Sequence, residues 1–399
     1  MNKYIYRASA ARGFSLVELM VALLIGLIIS IGVVQIFSAT RTTYQMDESL
    51  ARAQENGRFA LEFLAQDIRH AGYAGCKRDT SVTIFNNLAT PITPGLPMTG
   101  ISGAEYSAQP TGYNNTYNLV TSPANTTSGW TPALTGVAGV PGALAVAATG
   151  ALPGTDVVVL QRMVPNSWAL IDPYITPDHV YIDPAFINEV DDGDVLMVAD
   201  CRNAVAFMVT SKLATGQLSH AAGATTNRCE RWTGGLDTAN AATAACAAPF
   251  DYNPESTTAM GKLETVIFFV ANDPTADAAN PRPTLFRRVM LATGGIVDNT
   301  ALVEGVENFQ VLYGVDDVPP FDGAADNYVT ADNVSSFARV VSVQIGLLVY
   351  GVNATGTVNA DESDLNIHNV AGTNIVPAAN SKRTRRVFNT TIQLRNRSF

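Results

Sequence analysis

Acidic side chains in glycine-containing turns are the first residues of this chain whose type and spacing could do chemistry. Two turns, "DDGD" and "DDVPPFDGAADN", place carboxylates together, and carboxylate oxygens are the ligands that calcium prefers. The second turn departs from the calcium-loop spacing, since two prolines intervene and no terminal glutamate follows. We therefore interpret both segments as solvated turns between strands and expect no cofactor. Calcium binding at these turns is an alternative. The candidate ligands are Asp191, Asp192, Asp194, Asp316, Asp317 and Asp322.

Cysteines form the second candidate group, and the chain has four of them: Cys76, Cys201, Cys229 and Cys246. No two of them stand as a C-x-x-C pair, and no histidine completes a zinc pattern. Their even number is typical of disulfides in an oxidising compartment. Three pairings are open. We favour Cys229 with Cys246, which leaves Cys76 for Cys201.

Motifs that would mark an enzyme are not present in the sequence. The four histidines, His70, His179, His220 and His368, are far apart, and no H-E-x-x-H pair occurs. The chain also has no G-x-S-x-G nucleophile turn, no P-loop and no G-x-G-x-x-G loop. We therefore predict a protein that is not an enzyme.

A single acid, Glu18, interrupts an apolar run of membrane length. The run from Leu16 to Phe37 contains no proline, and at 1.5 Å per residue it would be about 33 Å long, against a hydrocarbon core of about 30 Å. It is too long for the core of an ordinary secretory signal peptide. Before it lie Lys3, Arg7 and Arg12 with no acid. This pattern predicts a cytoplasmic N-terminus, with the rest of the chain on the far side of the inner membrane.

A helix cap gives Glu18 a local explanation. Ser15 stands three residues before it, as in a capping box, and an acid in the first turn suits the helix dipole. The cap does not explain why the basic segment stops at Gly13 and the apolar run begins at once.

The stretch "RGFSLVEL" resembles the class III signal of type IV pilins and their pseudopilin relatives. The resemblance implies that a prepilin peptidase cuts between Gly13 and Phe14 and that Phe14 becomes the methylated N-terminus. Glu18 then lies at the fifth mature position, where its carboxylate would neutralise the amine of a neighbouring subunit and set the register of assembly. Ser15 stands where the family usually has threonine, a departure that keeps the hydroxyl.

Three further stretches, "DIRHAGYAGC", "EGVENFQVLYGVD" and "RVVSVQIGLLV", are similar to segments of PilW-type minor pilins. The resemblance implies a low-abundance subunit that primes type IV pilus assembly in a tip complex. Its expected partners are other minor and major pilins, the prepilin peptidase and the inner-membrane assembly platform. A type II secretion pseudopilin would share the N-terminal features. A pilus-tip adhesin, a DNA-uptake subunit and, more distantly, an anchored enzyme are competing interpretations.

Periodicity predicts that the helix continues beyond the apolar run. Apolar or small side chains recur every three or four residues from Met46 to Ile68, and Gly72 and Gly75 follow. Residues 14–37 would lie in the membrane or the filament core, and residues 38–70 would pack on a globular domain. Short apolar runs bounded by turn residues predict strands at 156–163, 194–201 and 203–211, and the segments 263–273 and 284–290 predict a hairpin. Alternation with a period of two predicts antiparallel strands with one buried and one wet face at 307–316, 341–351 and near 388–394. In the first of these, one face carries Phe309, Val311, Tyr313 and Val315.

The predicted fold is therefore α+β, with one long N-terminal helix packed on an antiparallel sheet. The resemblance implies the same arrangement, the type IV pilin-like fold.

Composition and charge organise the rest of the chain. A leader at 1–13 and a periplasmic or extracellular domain at 71–399 are predicted to flank the helix. From Ser81 to Thr155 the only charged residue is Glu105, which favours a loop-rich insertion. The net charge of -10 gives no reason to expect nucleic acid as a partner. A basic cluster near the C-terminus is interpreted as a solvated strand edge; it comprises Lys382, Arg383, Arg385, Arg386, Arg395 and Arg397.

Overall fold

The fold is described from a computed structural model of the chain. The residues that it describes are 15–75, 84–86, 88, 100–106, 116–118, 124–126, 128–133, 150–164, 168–175, 179–199, 204–221, 223, 226–227, 259–276, 281–291, 296–351, 367, 374–376 and 383–397. Within these ranges one long helix precedes a body made mainly of strands.

Helix α1 extends without interruption from Leu16 to Arg69, a length of 54 residues and about 81 Å. Ser15 is the N-cap, and its hydroxyl oxygen accepts the backbone N–H of Glu18 at 3.2 Å. Beyond the other end, Gly72 and Gly75 adopt φ angles of 71° and 79°, a left-handed conformation that ends helices. The predicted continuous helix, its N-cap and its glycine stop are confirmed.

The described residues form nineteen strands after the helix. In chain order they are β1 (Ile84–Asn86), β2 (Ile101–Tyr106), β3 (Thr116–Asn118), β4 (Trp130–Thr131), β5 (Val157–Met163), β6 (Leu170–Ile175), β7 (His179–Ile182), β8 (Val195–Ala199), β9 (Ala204–Met208), β10 (Ser211–Lys212), β11 (Gln217–Ser219), β12 (Ala259–Asn272), β13 (Pro283–Leu291), β14 (Ile296–Glu304), β15 (Val306–Val315), β16 (Asn327–Val329), β17 (Val340–Tyr350), β18 (Asn374–Val376) and β19 (Arg385–Gln393). Each predicted strand overlaps one of them, and the predicted hairpin forms between β12 and β13.

The strands form several sheets rather than one. The largest runs β1-β9-β8-β12-β5-β2-β4, with β13 paired to β12 and β14 paired to β13. Two four-stranded sheets have the orders β10-β11-β7-β6 and β16-β15-β17-β19. Two short pairs, β1 with β9 and β3 with β18, are parallel, and the other pairings within the described residues are antiparallel. The predicted α+β class is confirmed.

The main core is formed by side chains of α1, β15, β17 and the middle of β12, among others. Leu64 and Ile68 of the helix are fully buried in it. The four side chains predicted to point inward from β15 lie there too: Phe309, Val311, Tyr313 and Val315. The prediction of one wet face is wrong for β15, because Gln310 on the opposite face is only 2% exposed. Its side-chain N–H donates to the carbonyl of Gly154 at 2.8 Å, so a turn before β5 covers this face.

Part of the predicted insertion belongs to the largest sheet. Strand β2 lies between β5 and β4, and its first five residues are buried. Gly103 allows Tyr313 of β15 to approach closely, since a Cβ atom at Gly103 would overlap the tyrosine hydroxyl. The boundaries given for the insertion and for the other predicted domains stay a prediction.

Candidate functional site

The N-terminal part of α1 has no contact that buries it. No residue between Leu16 and Glu48 is buried, and the large apolar side chains from Leu16 to Phe37 range from 50% exposed at Val21 to 76% at Leu16. Among the described residues, α1 is the helix that is long and apolar enough to cross a membrane. An apolar surface of this size must be covered by lipid or by other proteins. We call residues 16–48 the exposed half of α1.

Glu18 lies in the first turn of the exposed half, and its side chain faces outward. The cap involves only its backbone N–H, so a carboxylate stands at the end of an apolar surface. The predicted cleavage site between Gly13 and Phe14 lies outside the described residues. Processing at that site therefore stays a prediction.

The second part of α1 is docked on the body of the molecule. Burial begins at Ser49 and recurs along one face through Ala53, Gly57 and Leu64, where the helix lies against β14, β17 and β19. Close approach depends on a small residue, because a Cβ atom at Gly57 would overlap the ring of Phe388. This docked face lies within residues 38–70, the segment that the sequence assigned to packing on the body, and the boundary at residue 38 stays a prediction.

A buried ion-pair network fixes the end of the docked half. Asp67 accepts from Arg162 of β5 at 2.8 Å and from Arg287 of β13 at 2.6 Å. Arg162 also donates to Glu264 of β12 at 2.6 Å. The side chains of Asp67 and Arg162 are 12% and 6% exposed, so these charges are largely removed from water. The network joins the helix to three adjacent strands.

Sequence reasoning did not find this network. Asp67 lies seven residues after Ala60 and three after Leu64, a spacing that places it on the buried face of the helix. This position could have indicated a buried ion pair, because a buried carboxylate requires a cationic partner. Its partners come from strands far along the chain, and their pairing was not predictable from local patterns.

A shallow groove of about 550 Å³ runs along the docked half beside β14. Its apolar wall includes Phe59 and Phe63, which are 47% and 41% exposed, and Leu302 of β14. Asn56 donates to the carbonyl of Glu304 at 3.0 Å and holds the helix to the end of β14. In the described part of the chain, β14 has β13 on one side and no strand on the other.

The first acidic turn uses its carboxylates in ion pairs. Lys212 donates to Asp191 at 3.0 Å, and this hydrogen bond lowers the pKa of Asp191. Lys262 binds Asp194 at 2.7 Å, and Asp194 also accepts the backbone N–H of Asp191 at 2.7 Å. Asp192 is exposed in the same turn. Two lysines therefore pair with two of the three carboxylates that were candidates for calcium in this turn.

The second acidic turn uses its carboxylates to hold its own backbone. Asp316 accepts the N–H of Gly323 at 2.8 Å, and Asp322 accepts the N–H of Ala324 at 2.9 Å. The backbone N–H of Asp317 donates to Asp326 at 3.0 Å. Within the described residues, no group of three acidic, histidine or cysteine side chains has a metal-binding arrangement. Calcium binding at either turn stays a prediction.

The remaining candidates divide between the described and undescribed parts of the chain. The four cysteines lie outside the described residues, so their pairing stays a prediction. In the basic cluster, Glu307 accepts from Arg385 at 2.5 Å and from Arg383 at 3.0 Å. Arg383 also lies over the ring of Tyr350 at 4.1 Å. These two arginines stabilise the edge of the β16-β15-β17-β19 sheet.

Comparison with known proteins finds two family signatures. Residues 267–396 match the family described as Type IV Pilus-assembly protein W, and residues 8–34 match the prokaryotic N-terminal methylation motif. The first match extends from β12 to the end of β19, and thus contains the sheet on which α1 is docked. The second contains Glu18 and the start of the exposed half.

No curated protein matches the chain. Among solved structures, a type IV-like pilin from Thermus thermophilus is similar at 16% identity over 35% of this chain and 69% of its own. The TM-score of 0.23 is low, and this likeness adds nothing to the fold described above.

Proposed function

We propose that this chain is a minor pilin of the PilW type that helps to start type IV pilus assembly, a proposal that its two family signatures support. The observation that carries the proposal is the exposed apolar half of α1, joined without a break to a helix segment that is locked onto a β-rich body. Lipid can cover such a helix before assembly, and neighbouring pilin helices can cover it afterwards. The body then determines which subunits stand beside it.

Processing at the N-terminus is the first step of the proposed function. Cleavage between Gly13 and Phe14 by a prepilin peptidase would remove the basic leader and create a new amine, which is then methylated on Phe14. The basic residues Lys3, Arg7 and Arg12 support a cytoplasmic N-terminus before cleavage. The body would then lie in the periplasm and, after assembly, outside the cell.

Glu18 would set the register of the subunit in the filament. A charged amine surrounded by apolar helices requires a nearby counterion. The exposed Glu18 carboxylate can supply it to an adjacent subunit. The capped N–H of Glu18 holds the first turn in place, so the position of the carboxylate along the helix is well defined.

The neighbouring subunits would be other minor pilins and the major pilin. The groove at Phe59 and Phe63 is the second surface that we assign to them, because it lies on the same helix as the exposed half and has exposed apolar side chains beside the body. Contacts with the inner-membrane assembly platform would precede these.

The first experiment deletes the gene and counts surface pili with the retraction motor present and then absent. We expect pili to be lost in the first strain and partly restored in the second. Without a priming subunit, assembly starts so rarely that retraction removes pili faster than they form. Normal piliation together with failed protein secretion would identify a type II secretion pseudopilin instead. Normal piliation with lost adhesion or DNA uptake would favour a tip protein.

Complementation separates the role of Glu18 from that of the protein. Glu18→Gln keeps the size of the side chain and removes the charge, so we expect it not to restore pili. Glu62→Gln, at an exposed acid of the docked half, should restore them. Full restoration by Glu18→Gln would overturn the role of the carboxylate while leaving the minor-pilin proposal intact.

A further inference from the structure

Two buried carboxyl groups meet where the largest sheet crosses β15. Glu105 is in β2 and is 3% exposed, and Asp156 immediately precedes β5 and is 2% exposed. Ala104 of β2 pairs with Val157 of β5, so Glu105 and Asp156, the next residue on each antiparallel strand, lie opposite each other as cross-strand neighbours. Neither belongs to the helix surface or to the acidic turns described above.

Asp156 connects the two sheets directly. Its carboxylate accepts the backbone N–H of Val311 at 2.7 Å, and its own backbone N–H donates to the carbonyl of Phe309 at 2.8 Å. Both partners are in β15. Glu105 reaches the same place from β2, so the carboxyl pair lies at the junction of β2, β5 and β15.

The surroundings of the pair are acidic or uncharged. The charges that raise the pKa of Glu105 are those of Asp156 and of Asp332, which lies in the 3-10 turn Ala331–Asn333. From β15, the hydroxyl of Tyr313 lies in the same negative field, and burial raises its pKa well above the usual value. Trp130 closes the neighbouring space by donating its indole N–H to the carbonyl of Thr155 at 2.8 Å.

Two ionised carboxylates in this position would repel each other without water to screen them. One oxygen of each group, Oε2 of Glu105 and Oδ1 of Asp156, also has no hydrogen-bond donor within the described structure. A carboxylic acid is a donor whereas a carboxylate is only an acceptor. A single proton on the pair therefore removes the repulsion and supplies the missing donor.

We infer that Glu105 and Asp156 share a proton at neutral pH and that this proton stabilises the packing of β2 and β5 against β15. The packing is then less stable when the pH rises and the proton is lost. The inference goes beyond the proposed function and does not depend on it. It assigns a structural purpose to the one charged residue of the predicted insertion.

The direction in which the pKa of each group is shifted agrees with a shared proton. Burial raises the pKa of Glu105 from 4.5 to about 10 and that of Asp156 from 3.8 to about 7. A carboxyl whose pKa is raised on folding stabilises the protein fully below its unfolded pKa. That stability is lost as the pH rises through the folded pKa. For Glu105, the pH range over which this stability is lost extends from about pH 4.5 to about pH 10.

The test compares the unfolding of the full-length protein in detergent between pH 5 and pH 9, for wild type and for Glu105→Gln. The wild-type folding equilibrium constant should fall by up to about tenfold per pH unit for each proton released. Glu105→Gln supplies a permanent N–H donor to Asp156, so its profile should be flatter. Glu62→Gln, at an exposed position, should follow the wild-type profile. Parallel profiles for wild type and Glu105→Gln would overturn the inference.

A second measurement keeps the inference testable if Glu105→Gln fails to fold. Infrared spectra of the wild-type protein at pH 7 should contain the carbonyl band of a protonated carboxylic acid, which ionised carboxylates lack. The band should decrease as the pH rises towards 10, together with faster hydrogen exchange at the amide of Val311. A spectrum without this band at pH 7 would overturn the shared proton.

Discussion

The two halves of α1 have the same backbone and opposite surroundings. The exposed half, residues 16–48, buries no side chain against the body, whereas the docked half buries a complete face from Ser49 to Ile68. The exposed half is almost wholly apolar from Leu16 to Phe37, and the docked half carries charges on the side that faces water. The difference shows that two parts of one helix can be stabilised by different surroundings. The exposed half requires an apolar environment outside the body, and the docked half is stabilised by contacts with the body.

A consequence is that the two halves should contribute separately to stability. We expect the body to unfold or remain folded without any change in what surrounds the exposed half, because no residue of that half is buried in the described structure. Matched substitutions in the two halves can therefore test the separation. The measurement in each case is the urea-induced unfolding of the body, followed by the near-ultraviolet signal of its aromatic residues in detergent.

The largest effect is expected for Asp67→Asn in the docked half. The substitution keeps the shape of the side chain but removes the negative charge shared by Arg162 and Arg287. Removing one partner of a buried ion pair destabilises a protein by about 3–5 kcal/mol. Asp47→Asn, at an exposed position of the other half, is the control and should change the free energy of unfolding by less than about 0.5 kcal/mol. Equal stability of the two variants would mean that the network does not hold the helix.

A smaller effect is expected from removing apolar volume. Leu64 is fully buried in the core and Leu24 is 61% exposed. Leu64→Ala should lower the free energy of unfolding by about 2–4 kcal/mol, through lost burial and the cavity that remains. Leu24→Ala removes the same atoms where the body makes no contact, so it should leave the unfolding midpoint unchanged. A similar loss in both variants would show that the exposed half contributes to the folding of the body.

Local patterns were sufficient to predict the helix and most of the long strands. The apolar run with Ser15 before it and Gly72 after it determined the extent of α1, because capping and backbone freedom act within a few residues. The period-two alternation in β15 placed Phe309 and Tyr313 on the core side for the same reason. The family resemblance rested on such local stretches, and it was supported by the two signatures that the chain matches.

The remaining features depend on contacts between distant segments. Burial of both faces of β15 requires the turn at Gly154, and the ion-pair network requires β5 and β13 to arrive beside Asp67. The lone charge of Glu105 was visible in the sequence, but its partner Asp156 became evident only when β2 was found next to β5.

The smallest effect is expected for two glycines, and it separates the halves most directly. Glycine lowers helix stability by about 1 kcal/mol relative to alanine, so both Gly57→Ala and Gly26→Ala favour the helix locally. At Gly57 the new Cβ atom would overlap the half-buried ring of Phe388, and overpacking of this kind destabilises by about 1–3 kcal/mol. The expected net result for Gly57→Ala is a loss of about 1 kcal/mol. At Gly26 a new Cβ atom meets nothing within 4 Å, and the local gain in helix stability should not reach the body. A changed unfolding midpoint in Gly26→Ala would contradict this, since it would mean that the backbone of α1 transmits stability from the exposed half to the docked half.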